Sequence, residues 1–103
     1  MNPQTTADAA TARDVQRTQL DTWIRANGTT AAKVAEACGS VAIQLGLDGA
    51  APSRKGIDDM RTGRFYPSIE VVLLLERVTN QQVTLEHWVR DKRRIGVRTR
   101  SRR

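Results

Sequence analysis

The most apolar stretch of the chain, Ile69-Glu70-Val71-Val72-Leu73-Leu74-Leu75-Glu76-Arg77-Val78, is ten residues long. That length limits what the sequence can build. A membrane span needs about 20 consecutive apolar residues, so none is expected. The β-branched residues in the run would suit a buried strand. Its length, the candidate N-cap Ser68 after Pro67, and the polar Glu70, Glu76 and Arg77 favour a helix instead. On that helix the apolar face is expected at Ile69, Val72, Leu73, Leu75 and Val78, and the helix is expected to lie at the centre of the fold.

One such helix needs partners to cover it. The 103 residues make one domain, and with only four aromatic residues the core has to come from Leu, Val, Ile and Ala. Just upstream, Pro52 to Ser68 reads P-S-R-K-G-I-D-D-M-R-T-G-R-F-Y-P-S. Ser53 can accept a hydrogen bond from a first-turn amide, and Gly63 stands where a left-handed residue ends a helix. Between them Ile57 and Met60 are the only apolar pair on one face, leaving Arg54, Lys55, Asp58, Asp59 and Arg61 to water or a partner. This short helix is expected to be held by others and presented outward.

The remaining segments read as short helices. Leu20, Trp23 and Ile24 follow helical spacing from Thr18, with Trp23 as the expected core anchor and Asn27-Gly28 as the stop. Thr29 or Thr30 caps a second helix, 31–38, whose Val34, Ala35 and Cys38 form a small smooth face before Gly39. Residues 40–52 are ambiguous. Val41, Ile43, Leu45 and Leu47 alternate as in a strand, whereas Ser40 as cap and Gly46 as stop suit a short helical turn. The helical turn is preferred, followed by an open loop, and a two-stranded excursion is the alternative. Thr79 to Val83 forms a turn, and Thr84 caps a last helix with Leu85, Trp88 and Val89 on its apolar face. The expected architecture is all-α with five or six short helices.

Charge divides the chain further. Residues 90–103 hold eight of the seventeen Lys and Arg against Asp91 alone, a net +7, which leaves residues 1–89 at −1. Attraction to a polyanion is therefore expected in local patches and in a basic C-terminal tail, 92–103, rather than over the whole surface. Residues 1–14 have no sustained apolar period and are expected to form a flexible leader. They lack the basic start and apolar run of a secretory signal, so the cytoplasm is the expected location. The domain between is 15–91.

Single Cys38 and single His87 give neither a disulfide pair nor the ligand count of a structural zinc site. Cys38 is expected to be a core thiol. His87 has no paired nucleophile, and adjacent Asp58 and Asp59 point in different directions on a helix, so no carboxylate dyad forms. Neither a cofactor nor an enzymatic activity is expected.

Taken together, Leu20-Asp21-Thr22-Trp23-Ile24-Arg25-Ala26-Asn27-Gly28-Thr29-Thr30-Ala31-Ala32-Lys33-Val34-Ala35-Glu36-Ala37-Cys38-Gly39 resembles the first two helices of Cro/repressor-type (XRE-like) helix-turn-helix proteins. Residues 53–68 are similar to that family's recognition helix and following loop. The segment from Leu75 to Trp88 is similar to small prophage Cro-like regulators, including the YdaS-like group. The likeness covers roughly residues 18–90. It departs from the family pattern between Gly39 and Ser53, where about thirteen residues stand in place of three or four. Either the turn carries an insertion, or 30–38 belongs to a long leading helix and 41–47 is the helix before the turn.

The resemblance implies a lambda-repressor-like fold that binds double-stranded DNA as a homodimer on an inverted repeat. Base reading falls on Arg54 and Lys55, with Asp58 either fixing the Arg54 guanidinium or accepting from cytosine. Thr30, Ala31, Ser53, Arg61, Arg64 and Tyr66 are the expected phosphate-backbone set, although family members often carry a glutamine donor at the position of Ala31. Phe65 is expected in the core. Gly56 permits close approach, either of a phosphodiester strand or of the packing around Thr30 and Val34. Leu85, Trp88 and Val89 are the preferred dimer surface, with the 41–47 segment as the alternative. A competing reading is an adaptor or antitoxin-like module that holds a protein partner through an exposed 41–47 segment.

Overall fold

The computed structural model describes residues 17–96, and within them five α-helices and one 3₁₀ turn enclose a single core. We number them α1 (Gln19–Ala26), α2 (Ala31–Leu45), α3 (Arg54–Arg61), α4 (Ile69–Val78) and α5 (Leu85–Ile95), with the 3₁₀ turn at Asp48–Ala50 between α2 and α3. No strand occurs among the described residues. None of the helices among them is long and apolar enough to cross a membrane.

Local chemistry sets most of the boundaries. Thr30, Ser53 and Ser68 each accept a hydrogen bond from an amide three residues on, at 3.2, 3.1 and 3.4 Å. Each cap satisfies a donor that the first helical turn would otherwise leave unpaired. Thr84 uses a different partner: its N–H donates to Nδ1 of His87 at 3.0 Å, so the histidine fills the place a glutamate takes in a capping box. Between α4 and α5 the Thr79 hydroxyl donates to the Leu75 carbonyl at 2.7 Å and accepts from the Val83 amide at 3.0 Å. That buried bond pair closes the turn even though Asn80 and Gln81 both take positive φ.

The longest helix corrects the reading of residues 31–52. α2 runs unbroken through Gly39 and Ser40 to Leu45 and stops at Gly46, which adopts φ 71° in the left-handed region. An interior glycine costs a helix about 1 kcal/mol relative to alanine. Continuing the buried stripe Val34, Cys38, Ala42 at four-residue spacing outweighs that cost. The alternation at 41–47 therefore belongs to no strand: Val41 and Leu45 pack against the core from one side, and Ile43 is 71% exposed. The stretch between α2 and α3 shortens to residues 46–53.

The core comprises Leu20 and Ile24 of α1, Val34, Cys38 and Ala42 of α2, Ile57 and Met60 of α3, and Val71, Val72, Leu74 and Leu75 of α4, closed by Val83 and Trp88. Two expectations shift here. Trp23 is only partly buried, and the fully enclosed anchors of α1 are Leu20 and Ile24. On α4, Val71 and Leu74 are buried and Ile69 and Leu73 are exposed, so the helix is rotated from the expected face. In a run where nearly every position is apolar, hydrophobic periodicity carries no contrast to fix the rotation.

α5 reaches Ile95, so Lys92, Arg93 and Arg94 are helical rather than the start of a tail. The leader at 1–14 and the basic residues from Val97 on lie outside the described residues.

Candidate nucleic-acid interface

α3 is eight residues long and stands on two of them. Ile57 and Met60 are fully buried against a scaffold in which α2 and α1 both pack on α3. Its start is open: the Arg54 and Lys55 side chains are 67% and 79% exposed. Each is held by an aspartate one turn later, Arg54 to Asp58 at 3.2 Å and Lys55 to Asp59 at 3.3 Å. Exposed pairs of this spacing are worth only about 0.3–0.5 kcal/mol, so either cation can leave its aspartate for a stronger acceptor at little cost. The first turn of α3 is thus a displayed pair of donors, pre-aimed and easily released.

The far end of α3 is clamped. Thr18 donates its amide to the Arg61 carbonyl at 2.9 Å and its hydroxyl to the Met60 carbonyl at 2.8 Å. Arg61 itself turns inward, its Nε donating to Oδ1 of buried Asp21 at 2.7 Å. Asp21 also meets Arg17 at 3.1 Å and Arg25 at 3.3 Å, so three guanidinium groups surround one carboxylate. With Thr18 occupied on α3, the first amide of α1 is capped from a distance: Gln19 donates to Oδ2 of Asp91 at 2.8 Å. Asp91 also receives Arg94, at 3.0 Å.

This geometry redistributes the expected backbone set. Arg61 is committed to Asp21 and holds α3 in place instead of reaching outward. Tyr66 is likewise engaged inside: its hydroxyl donates to the Gly96 carbonyl at 2.7 Å and its ring meets Trp88 edge-on at 6.4 Å. Thr30 and Ser53 are exposed but spend their hydroxyl oxygens on capping, and Ala31, 5% exposed, brings no side-chain donor. Arg64 is exposed immediately after α3. Phe65, expected in the core, is 53% exposed beside it. The loop after Gly63 turns the phenyl ring outward, and Tyr66 rather than Phe65 packs on the core.

Gly56 meets neither Thr30 nor Val34. A Cβ placed there would lie at ordinary contact distance, 3.6 Å, from Pro52 Cβ and Ser53 Oγ. Gly63 differs: its φ is 76°, and an added Cβ would come within 2.8 Å of Ile95 Cγ2 and 3.1 Å of the Tyr66 hydroxyl. Only glycine satisfies both the left-handed turn and the close approach of α5.

On the expected dimer surface, Leu85 and Val89 are 45% and 52% exposed, but Trp88 points into the core and is withdrawn from it. Its indole N–H is buried without an acceptor among the described residues. Sequence reasoning missed Ile69 and Leu73, exposed on α4, which with Leu47, Val72 and Leu85 line an apolar groove of about 380 Å³ between Glu70 and Glu76. The polar residues at 70 and 76 signal that α4 has an outer side but are too few to fix which apolar positions share it. Cys38 is fully buried, and burial pushes its thiol up to about 11. It is a neutral core group at ordinary pH.

Comparison with models of known protein families, with curated protein sequences and with solved structures gives no match to this chain.

Proposed function

We propose that this chain is a sequence-specific duplex-DNA-binding regulator of the Cro/repressor helix-turn-helix kind, with α2 and α3 as the two helices of the motif. The observation that carries the reading is the asymmetry of α3. Its back is fixed by Ile57, Met60 and the Thr18 clamp, while its first turn presents two exposed cations on short aspartate tethers. A major groove admits one helix, and Arg or Lys at its tip can donate to guanine O6 and N7 while Asp58 accepts from cytosine N4. Arg64, exposed next to α3, supplies a phosphate contact, together with amides at the starts of α2 and α3. The eight residues between Leu45 and Arg54 make a longer turn than that family uses, so contact positions are assigned from this chain's own exposure.

An eight-residue helix reads few bases, and a two-fold pair places two such helices about 34 Å apart, one duplex turn. Leu85 and Val89, with Ile69 and Leu73, are the surface assigned to that pairing. A chain of this kind works in the cytoplasm, on the nucleoid of a bacterium or a phage-infected cell.

The test is selection of bound sequences from a random duplex pool, followed by footprinting on the winner. The selected site is expected to be an inverted repeat, and replacing Arg54 and Lys55 together by alanine is expected to reduce affinity for it at least about 30-fold, as two base contacts of about 1–3 kcal/mol each require. Unchanged affinity would end the proposal. A second reading, a protein-binding adaptor, rests on the groove that Ile69, Leu73 and Leu85 form with Leu47 rather than on 41–47 exposed together, because Val41 and Leu45 pack against the core.

A further inference from the structure

We infer that Arg17 and Arg25 grip a backbone phosphate of the duplex that α3 reads, from the side of α1; the inference rests on the proposed role of α3. Buried Asp21 takes more cations than it needs. The Arg61 guanidinium donates to it at 2.7 Å and ties α3 to α1. One such partner already balances the charge of a buried carboxylate. Arg17 at 3.1 Å and Arg25 at 3.3 Å are added from four positions before and four after it. Neither meets any other carboxylate among the described residues, so together they bring two positive charges that the fold leaves unbalanced. Each reaches Asp21 through one nitrogen, and a guanidinium has five N–H donors, so most of theirs stay open to an oxyanion. Both side chains reach water, Arg17 at 31% exposure and Arg25 at 56%.

Their place relative to α3 follows from a chain of ion pairs. Arg54, Asp58 and Arg61 stand at i, i+4 and i+7, one stripe of that helix. Arg54 meets Asp58 at 3.2 Å, Asp58 meets Arg61 at 3.9 Å, and Arg61 passes on to Asp21, where Arg17 and Arg25 converge. Along this chain four guanidinium groups share two carboxylates, and the surplus of positive charge lies at the α1 end. The stripe that starts at the base-reading Arg54 therefore ends at that surplus. Seven residues of helix advance about 10 Å, close to the width of a major groove, about 12 Å. With the first turn of α3 on base edges and the stripe crossing the groove, its other end comes to the groove wall, where the phosphates run.

The experiment titrates the full chain against the selected duplex and against one of arbitrary sequence, at several salt concentrations. Four proteins are compared: the native chain, Arg25→Gln, Arg17→Gln combined with Arg25→Gln, and Arg77→Gln, which removes a charge from an exposed position on α4. Arg25 is more than half exposed, so Arg25→Gln alone tests the grip on a fold whose urea midpoint it leaves in place. Each lost phosphate contact is expected to lower the salt slope by about 0.9, and the pair by about 2. Affinity of the double variant is expected to fall about tenfold, by the same factor on both duplexes. Arg77→Gln is expected to change neither quantity, and an equal effect from it would reduce the result to net charge and overturn the inference. A loss confined to the selected duplex would make the two arginines sequence readers and overturn the backbone contact. A urea midpoint raised by inorganic phosphate in the native chain but not in the double variant, with the salt slope unmoved, would make this a site for a free anion and overturn the assignment to a duplex. A slope indifferent to both arginines, with Arg54 and Lys55 still required for affinity, would overturn the grip and leave the α3 reading intact. A native chain that binds no duplex would instead remove the α3 reading, and this inference with it.

Discussion

Arg61 donates from Nε to Oδ1 of Asp21 at 2.7 Å across forty positions of sequence, and the carboxylate it meets is 1% exposed. The contact ties the last residue of α3 to the first turn of α1 at the point where two other arginines also converge. An orientation for α3 that depended on Ile57 and Met60 alone would allow the helix to roll on its two apolar contacts. The ion pair and the Thr18 clamp remove that freedom.

Asp21→Asn is expected to destabilise the fold by about 2 kcal/mol, measured by urea denaturation. Removing one partner of a buried ion pair costs about 3–5 kcal/mol, and part of that is recovered here because the three arginine side chains range from 22% to 56% exposed and reach water. Arg25→Ala, the most exposed of the three, is expected to cost less than about 0.5 kcal/mol. Similar losses for the two variants would mean that the cluster is not centred on Asp21.

Gly56→Ala should separate stability from binding. The added Cβ fits at 3.6 Å from its nearest neighbours, so the helix gains up to about 1 kcal/mol in propensity and the unfolding midpoint rises. Affinity for the selected duplex is expected to fall at least about threefold if the methyl group occupies space needed by a phosphodiester strand. A stabilised protein with undiminished binding would show that this side of α3 does not approach DNA.

Cys38 gives a pH dependence with a definite sign. Burial raises its thiol from 9.0 to about 11, so the unfolded chain releases this proton before the folded one does. Its contribution is fully present below pH 9 and is lost as the pH climbs toward 11, by roughly 2 kcal/mol at the upper end. The decline over that window should be shallower in Cys38→Ala, whose overall stability is lower. Below pH 8 the native thiol should resist alkylation except through unfolding.

Leu85→Ser combined with Val89→Ser is expected to leave helicity intact, because both side chains are about half exposed. The solution mass, by sedimentation or light scattering, is expected to fall from dimer to monomer. Affinity for an inverted repeat should then drop toward that of a single half-site. A native chain that is already monomeric when bound to duplex would redirect attention to Ile69 and Leu73 as a surface for another protein.

Legibility in the sequence tracked the range of the interaction. Caps act across three residues, and Thr30, Ser53, Ser68 and Thr84 all begin helices where their chemistry suggests. The pair Ile57 and Met60, surrounded by charge, marked the buried side of α3 without ambiguity. The rotation of α4 was illegible because its polar residues are too few to define a face. Gly39 and Ser40 have the chemistry of a stop and a start, but burial of Ala42 one turn later carries the helix through both. Arg61 and Tyr66 read as ligand contacts because their partners, Asp21 and Gly96, lie forty and thirty positions away.

The hydrogen bond from Arg94 to the Arg17 carbonyl, 2.7 Å long, belongs to the same junction in which Asp91 caps α1. It brings the start of α1 within reach of the last turn of α5, so the two ends of the described fold lie on the same side of the globule. A short peptide could join those positions covalently, with new ends opened in the 46–53 segment, and the helices would keep every contact they now have. The order in which the helices are threaded is thus separable from the way they pack.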